Sequence, residues 1–245
     1  SAIVLDNWFP EPAYVRLRGG HVSWATGLGS GPVESLMAYH GPSGTEKMYG
    51  ARSTSIFDVS TTGAVGAADL TSLTNARWQH INYTTGGSTY LYIVNGADSP
   101  RHYNGTAWAT PSITGITASQ AIHINAHKHR IWFVLVSSTK AAYLATDAVA
   151  GAATTFDLGP HMTRGGFLMA MGTWTMDSGF GPDDFAVFVT SKGQVIVYAG
   201  NDPADANDWV HKGTYQIGPP IGRRCLMNVG PDLAVITIDG VVSLS

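Results

Sequence analysis

The chain reads as an all-β protein, a β-propeller of about five blades. Three observations lead there. A β-hairpin pattern recurs with starts near Ser35, Trp78, Ala121, Leu168 and Cys225, spacings of 43, 43, 47 and 57 residues. Periods of about 40–50 residues with three or four strands each are the sequence form of a propeller blade. The chain holds 29 Gly and 12 Pro in 245 residues, a supply of turn formers that breaks helices. No stretch has a convincing amphipathic period; Gly66–Arg77, with Leu70 and Leu73 three apart, is at most one short helix or an irregular loop. A β-sandwich, which the 57-residue spacing keeps open, or a larger propeller of which this is part, is the alternative.

The clearest copy of the pattern is Asp184–Gly200. Phe185 to Thr190 and Val195 to Tyr198 are β-branched and aromatic runs, and Lys192-Gly193 lies between them. Such side chains suit a pleated, half-buried surface, and Gly supplies the positive φ of a tight turn. The first runs of the five repeats are Ser35–His40, Trp78–Thr84, Ala121–His127, Phe167–Met176 and Cys225–Gly230. The second runs are Lys47–Arg52, Thr89–Asn95, Arg130–Ser137, Asp184–Thr190 and Leu233–Ile238. A third run follows in each, and Trp209–Ile217 reads as a fourth, outer strand. Residues 35–245 are thus the propeller. Residues 1–34 are an N-terminal extended arm with strand-like material at Tyr14–Arg18 and His21–Ala25, placed to close the last blade.

Composition limits the function. The net charge is −3, and the 14 Lys and Arg are thinly spread, with Arg16/Arg18 and Arg223/Arg224 as tight basic pairs. A nucleic-acid-gripping surface needs concentrated positive charge, so sequence-specific DNA binding is not expected. Cys225 is the single cysteine, which leaves no internal disulfide and no cysteine-based zinc site. The apolar run Ile131–Val136 is far short of the roughly 20 residues of a membrane span. The first residues lack a basic region before an apolar one, so the chain reads as made in the cytoplasm.

Several segments resemble one family. Asp6-Asn7-Trp8-Phe9-Pro10, followed by Val15-Arg16-Leu17-Arg18-Gly19-Gly20, is similar to the opening of a family of tailed-bacteriophage and prophage proteins. Ser55-Ile56-Phe57-Asp58-Val59, Tyr103 to Trp108, Thr173 to Gly179, Val197-Tyr198 through Asn201-Asp202-Pro203, and Ile238 to Val242 fit it too. The resemblance extends over most of the chain. Its nearest functional class is the propeller-bearing tail nozzle or head-completion proteins of short-tailed phages. It implies a virion protein that joins other tail or head-completion proteins, forms a homo-oligomeric ring, and lets DNA pass without reading its sequence.

His123, His127 and His129 share one strand and turn, but no carboxylate or cysteine stands near at ligand spacing. Exposed turn histidines are the simpler reading. Asp177, Asp183 and Asp184 bracket a Gly-rich loop, and paired carboxylates can cleave glycosides, yet such a loop is also what joins two blade strands. Asn201, Asp202, Asp205, Asn207 and Asp208 form an oxygen-rich loop without the central Gly and terminal Glu of a helix-flanked calcium loop, and Asx-turns account for it. Asn82-Tyr83-Thr84 and Asn104-Gly105-Thr106 match a glycosylation pattern, but Asn104-Gly105 is a turn signal. Gly27–Gly31 lacks the Lys-Ser/Thr of a phosphate loop and reads as linker or turn.

No catalytic, metal or cofactor residue is therefore assigned. Trp132 reads as core, and Trp174 and Trp209 sit at strand positions. Trp8, Phe9 and Pro10 lie outside the repeats and are the candidates for a partner contact. The first functional expectation is a non-enzymatic virion component. A host-surface or carbohydrate-binding propeller is the alternative, and a glycoside hydrolase using Asp177 or Asp184 the third.

Overall fold

The computed structural model describes residues 6–177 and 182–245. Five small antiparallel sheets are arranged as a five-bladed β-propeller. Their first strands are Ser35–His40, Gln79–Thr84, Ala121–His127, Leu168–Asp177 and Leu226–Val229, each within one residue of the expected start. The second strands are Glu46–Arg52, Thr89–Val94, Arg130–Leu135, Pro182–Thr190 and Asp232–Thr237. The third strands are Ser55–Asp58, Arg101–Tyr103, Lys140–Tyr143, Gln194–Ala199 and Gly240–Ser243. Blades 2, 3 and 4 add a fourth strand, Trp108–Ala109, Thr154–Asp157 and Val210–Gln216, whereas the sheets of blades 1 and 5 have three strands. The 57-residue spacing comes from the long hairpin and the 200–209 loop of blade 4, with no change of architecture.

Blades 2, 3 and 4 bury both faces, which is why their second strands are apolar on both sides. Leu91, Tyr92, Ile93 and Val94 of blade 2 are all buried: Leu91 and Ile93 face blade 1, and Tyr92 and Val94 face blade 3. Four apolar clusters lie between successive blades. Met37, Tyr49 and Ile56 meet Trp78 and Ile93; Tyr92 meets Ile131 and Phe133; Trp132 meets Phe188 and Trp209; Val187 and Val197 meet Leu233 and Val235. Among the described residues none of these clusters joins blade 5 to blade 1. Met227, Val229 and Val241 on one side of that seam and Leu36 on the other stay exposed.

The segment Gly66–Arg77 is irregular, with a single bridge from Leu70 to Ile56, and Leu73 is buried against blades 1 and 2. Gly27–Gly31 wraps the Arg52 guanidinium, which donates to the carbonyls of Leu28 and Gly31. Gly29 stands at φ 96°, and a Cβ there would lie 2.6 Å from an Arg52 nitrogen, so only glycine fits. No helix among the described residues is long and apolar enough to cross a membrane.

The N-terminal segment departs from expectation. It is neither simply extended nor part of blade 5. Trp8–Pro10 pairs antiparallel with Val15–Leu17 in a separate hairpin, and Ala25–Thr26 pairs parallel with Gly63–Ala64 beside blade 1. The physical reason is local. The turn through Pro10-Glu11-Pro12 brings complementary strands together at small loop-closure cost, and Pro10, lacking an N–H, is tolerated at an edge.

Candidate functional site

Two regions distinguish themselves: the axial seam and the N-terminal hairpin. At the seam, the segment before blade 5 carries Arg223 and Arg224 across to blades 1 and 2. Arg224 donates to the Glu34 carbonyl at 2.7 Å, to Ser35 Oγ at 2.6 Å and to the Trp78 carbonyl at 3.1 Å. Arg223 donates to the Asn95 carbonyl at 2.8 Å and the Arg77 carbonyl at 2.7 Å. Arg77 adds a third guanidinium, 3.6 Å from the Glu34 carboxylate. A guanidinium presents a rigid fork of donors, which suits it to bind several carbonyls at once. The closure that apolar packing supplies elsewhere is supplied here by this clasp. A cavity of about 440 Å³ opens beside it, lined by Arg77, Ile122, Met169, Ile221, Arg223 and Arg224.

Burial, and then the neighbouring guanidiniums, holds Arg223 and Arg224 below the usual arginine range. The clasp predicts that Arg224→Ala costs about 2 kcal/mol, because charged donors to carbonyls are lost and an exposed guanidinium is partly screened. Arg224→Lys should recover only part, since an ammonium lacks the fork. Urea melts of the two variants check this; equal stability of Arg224→Ala and the parent would show that the clasp does not close the seam.

The histidines separate. His129 is exposed, 3.5 Å from Asp147, in a turn where Lys128 and His129 both have positive φ. His123 and His127 correct the expectation of turn histidines. Both are buried, because the first strand of blade 3 packs against that of blade 4. His127 Nδ1 lies 3.1 Å from Thr173 Oγ1, and His123 Nδ1 accepts from the Met171 amide at 3.4 Å. Desolvation, with Arg223 nearby, pushes His123 down to about 4, and desolvation with Lys128 does the same to His127. They form a polar seam between blades 3 and 4.

Asp184 is held by Thr175 Oγ1 at 2.7 Å and Lys128 Nζ at 3.5 Å, and these partners keep its carboxyl below the ordinary range against the opposing effect of burial. Residues 178–181 and the side chains of Asp177 and Asp183 lie outside the described residues, so a carboxylate pair is not placed. In the 201–208 loop, Asp208 accepts from the amides of Asn201 and Asp202, Asp205 from that of Asn207, and Asp202 binds Arg130. Those carboxylates face backbone and guanidinium in Asx-turns. No group of three or more His, Cys, Asp or Glu suited to a metal occurs among the described residues.

Asn82 ties blade 2 to blade 1, donating to the Ala38 carbonyl and accepting from the His40 amide. Asn104 makes an Asx-turn with Thr106 and Ala107, and Gly105 has φ 93°. Trp132 and Trp209 are buried and stacked at 5.6 Å. One pairing had no sequence signal: His161 and His211 stack with centroids 4.0 Å apart, brought together from segments 50 positions distant.

The N-terminal hairpin is the exposed apolar feature. Trp8 is 42% exposed, Phe9 48% and Leu17 61%. In the register Trp8↔Leu17 and Pro10↔Val15 these four apolar side chains share one face, while Phe9 and Arg16 share the other, with the guanidinium 5.4 Å from the ring. The hairpin closes on itself through Glu11 N to Tyr14 O and Arg18 N to Asn7 O.

The fold and these two regions define the chain as a five-bladed β-propeller with a projecting apolar hairpin. Comparison with protein-family models and with curated proteins finds no match for this sequence.

Proposed function

We propose that the chain is a non-catalytic assembly module of a tailed-phage virion, in the tail nozzle or head–tail connection. Copies ring a common axis and guide or retain packaged DNA without reading its sequence. The observation that carries the assembly role is the hairpin, which presents Trp8, Pro10, Val15 and Leu17 on one uncovered face. An aromatic-bearing apolar strand pair held away from the core is suited to a protein contact, because Trp buries a large rigid area at low entropic cost. The sequence resemblance supports the phage setting. The small negative charge suits a wall along which DNA slides, since a strongly basic wall would hold the phosphates.

Carbohydrate binding is the competing reading, and Trp174 and Tyr215, which line one surface groove, are the residues it would use. The test is to delete the reading frame from a phage or prophage that carries it and to count DNA-filled particles. Mass spectrometry of purified wild-type particles should contain the chain, and the deletion should leave heads that lose their DNA. Full particles without the chain, together with a positive glycan array, would replace this reading with the competing one.

A further inference from the structure

The arginine clasp carries more charge and more donors than closing the seam requires. Arg77, Arg223 and Arg224 all line the cavity of about 440 Å³ beside it, a size in the range of small-molecule sites. Glu34 pairs with Arg77. Among the described residues, Arg223 and Arg224 meet carbonyls and a hydroxyl but no carboxylate. Lys47, Lys128 and Arg130, by contrast, each meet an aspartate. Carbonyls take up hydrogen bonds without cancelling charge, so three guanidiniums against one carboxylate leave the wall with an excess of two positive charges. Arg223 and Arg224 are chain neighbours, and their repulsion is built into the sequence. Arg223 donates to two carbonyls and Arg224 to three oxygens, and a guanidinium has N–H groups beyond these. The opposite wall is apolar: Ile122, Met169 and Ile221. Arg77, Ile122, Met169 and Arg224 lie at or just before the starts of the first strands of blades 2 to 5, so four blades contribute to one site.

We infer that this cavity binds a small phosphate monoester, its anionic head among the guanidiniums of Arg77, Arg223 and Arg224 and its apolar body against Ile122, Met169 and Ile221. The inference goes beyond the assembly reading and does not depend on it. Charge, geometry and polarity each match. A phosphate monoester carries about −1.5 to −2 charge near pH 7 and three acceptor oxygens, which offsets the excess on the wall. A single carboxylate offsets half of it. The planar fork of a guanidinium meets two phosphate oxygens at once. A bare oxyanion leaves the apolar wall in water, whereas an ester with a short apolar body covers it. A phosphodiester of DNA has one charge per group and brings further like charges along its chain, with nothing to place on that wall. Arg77 and Ile221 are exposed, so the mouth is open to a ligand from solution.

The test is calorimetric titration of the purified full chain with phenyl phosphate and with inorganic phosphate, at low ionic strength because salt screens an open site. Phenyl phosphate is expected to bind once per chain, about tenfold tighter than inorganic phosphate through burial of its ring. Arg77→Gln should weaken both probes about tenfold, the loss of one charge-assisted contact. Its melting temperature should hold, because the Arg77 side chain is exposed and the clasp uses only its carbonyl. Ile221→Ser, at a residue 63% exposed, should weaken phenyl phosphate and leave inorganic phosphate unchanged. The two variants thus report separately on the charged and the apolar wall. Failure of both probes to bind the parent would overturn the inference. Equal affinity for the two would do so as well, since the apolar wall would then be unused. Undiminished binding by both variants would put the ligand elsewhere and sink the site. A short duplex DNA that displaces phenyl phosphate, and does so only when Arg77 is present, would replace the small ester with the nucleic-acid backbone.

Discussion

Trp132→Ala is expected to cost about 3–5 kcal/mol, the range for emptying a buried Trp site, and to lower the melting temperature by roughly 10 °C, given about 2–4 °C per kcal/mol for a chain of this size. Trp132 is 1% exposed on the second strand of blade 3. Its ring lies 4.8 Å from Tyr143, 5.7 Å from Phe188 and 5.6 Å from Trp209, so it joins the third strand of its own blade to two segments of blade 4. Among the described residues its Nε1 has no hydrogen-bond partner, which leaves apolar contact as its whole contribution. Trp132→Phe should therefore recover a large part. Urea denaturation followed by circular dichroism measures both; a loss under about 1 kcal/mol for Trp132→Ala would show that this interface is not the continuous core described.

Acid should unfold the protein well before its carboxylates titrate. His123 and His127 are neutral and buried, each held at about 4 by desolvation and a nearby cation. In the unfolded chain they titrate near 6.5. Below that the unfolded state binds more protons, so stability falls as the pH drops from about 6.5 to about 4 and then levels off for these two groups. Each shift corresponds to roughly 3 kcal/mol. His80, His102 and His161 are shifted the same way by burial and add to the loss. Asp58, Asp98 and Asp157 are shifted below 3.8 and act in a lower window. Urea midpoints between about pH 7 and about pH 4.5 should decline steeply in the parent and much less in a His123→Gln/His127→Gln double variant. A parallel decline in both would show that these two imidazoles do not carry the effect.

The blades were legible because a blade is a local object. Hairpins such as Asp184–Gly200 declare themselves through two β-branched runs and a Gly turn, and their sequence separation is short. The starts of the first strands were therefore placed within a residue. That Trp8 and Phe9 lie outside the blades was legible, but the form of the arm was not. Val15–Leu17 has two partners of similar merit in sequence, the last blade and Trp8–Pro10, and only the geometry of the Pro10-Glu11-Pro12 turn decides. The burial of His123 and His127 was hidden because it depends on how the first strands of two blades lie side by side. The clasp was visible only as a basic pair. Arg224 meets Ser35 across 189 positions, and nothing in the local pattern at either end announces that contact.

The uneven closure of the propeller has a consequence for its fluctuations. A ring with five equal cores resists opening equally everywhere. Here four cores couple the blades one after another, and the fifth junction is a hydrogen-bonded clasp, so cooperativity runs along a line with two ends, as in a solenoid. Opening then begins at blades 1 and 5 and reaches the Trp132 interface last. Blade 5 is thus an end of that line. Any partner seated on it would damp the fraying at that end.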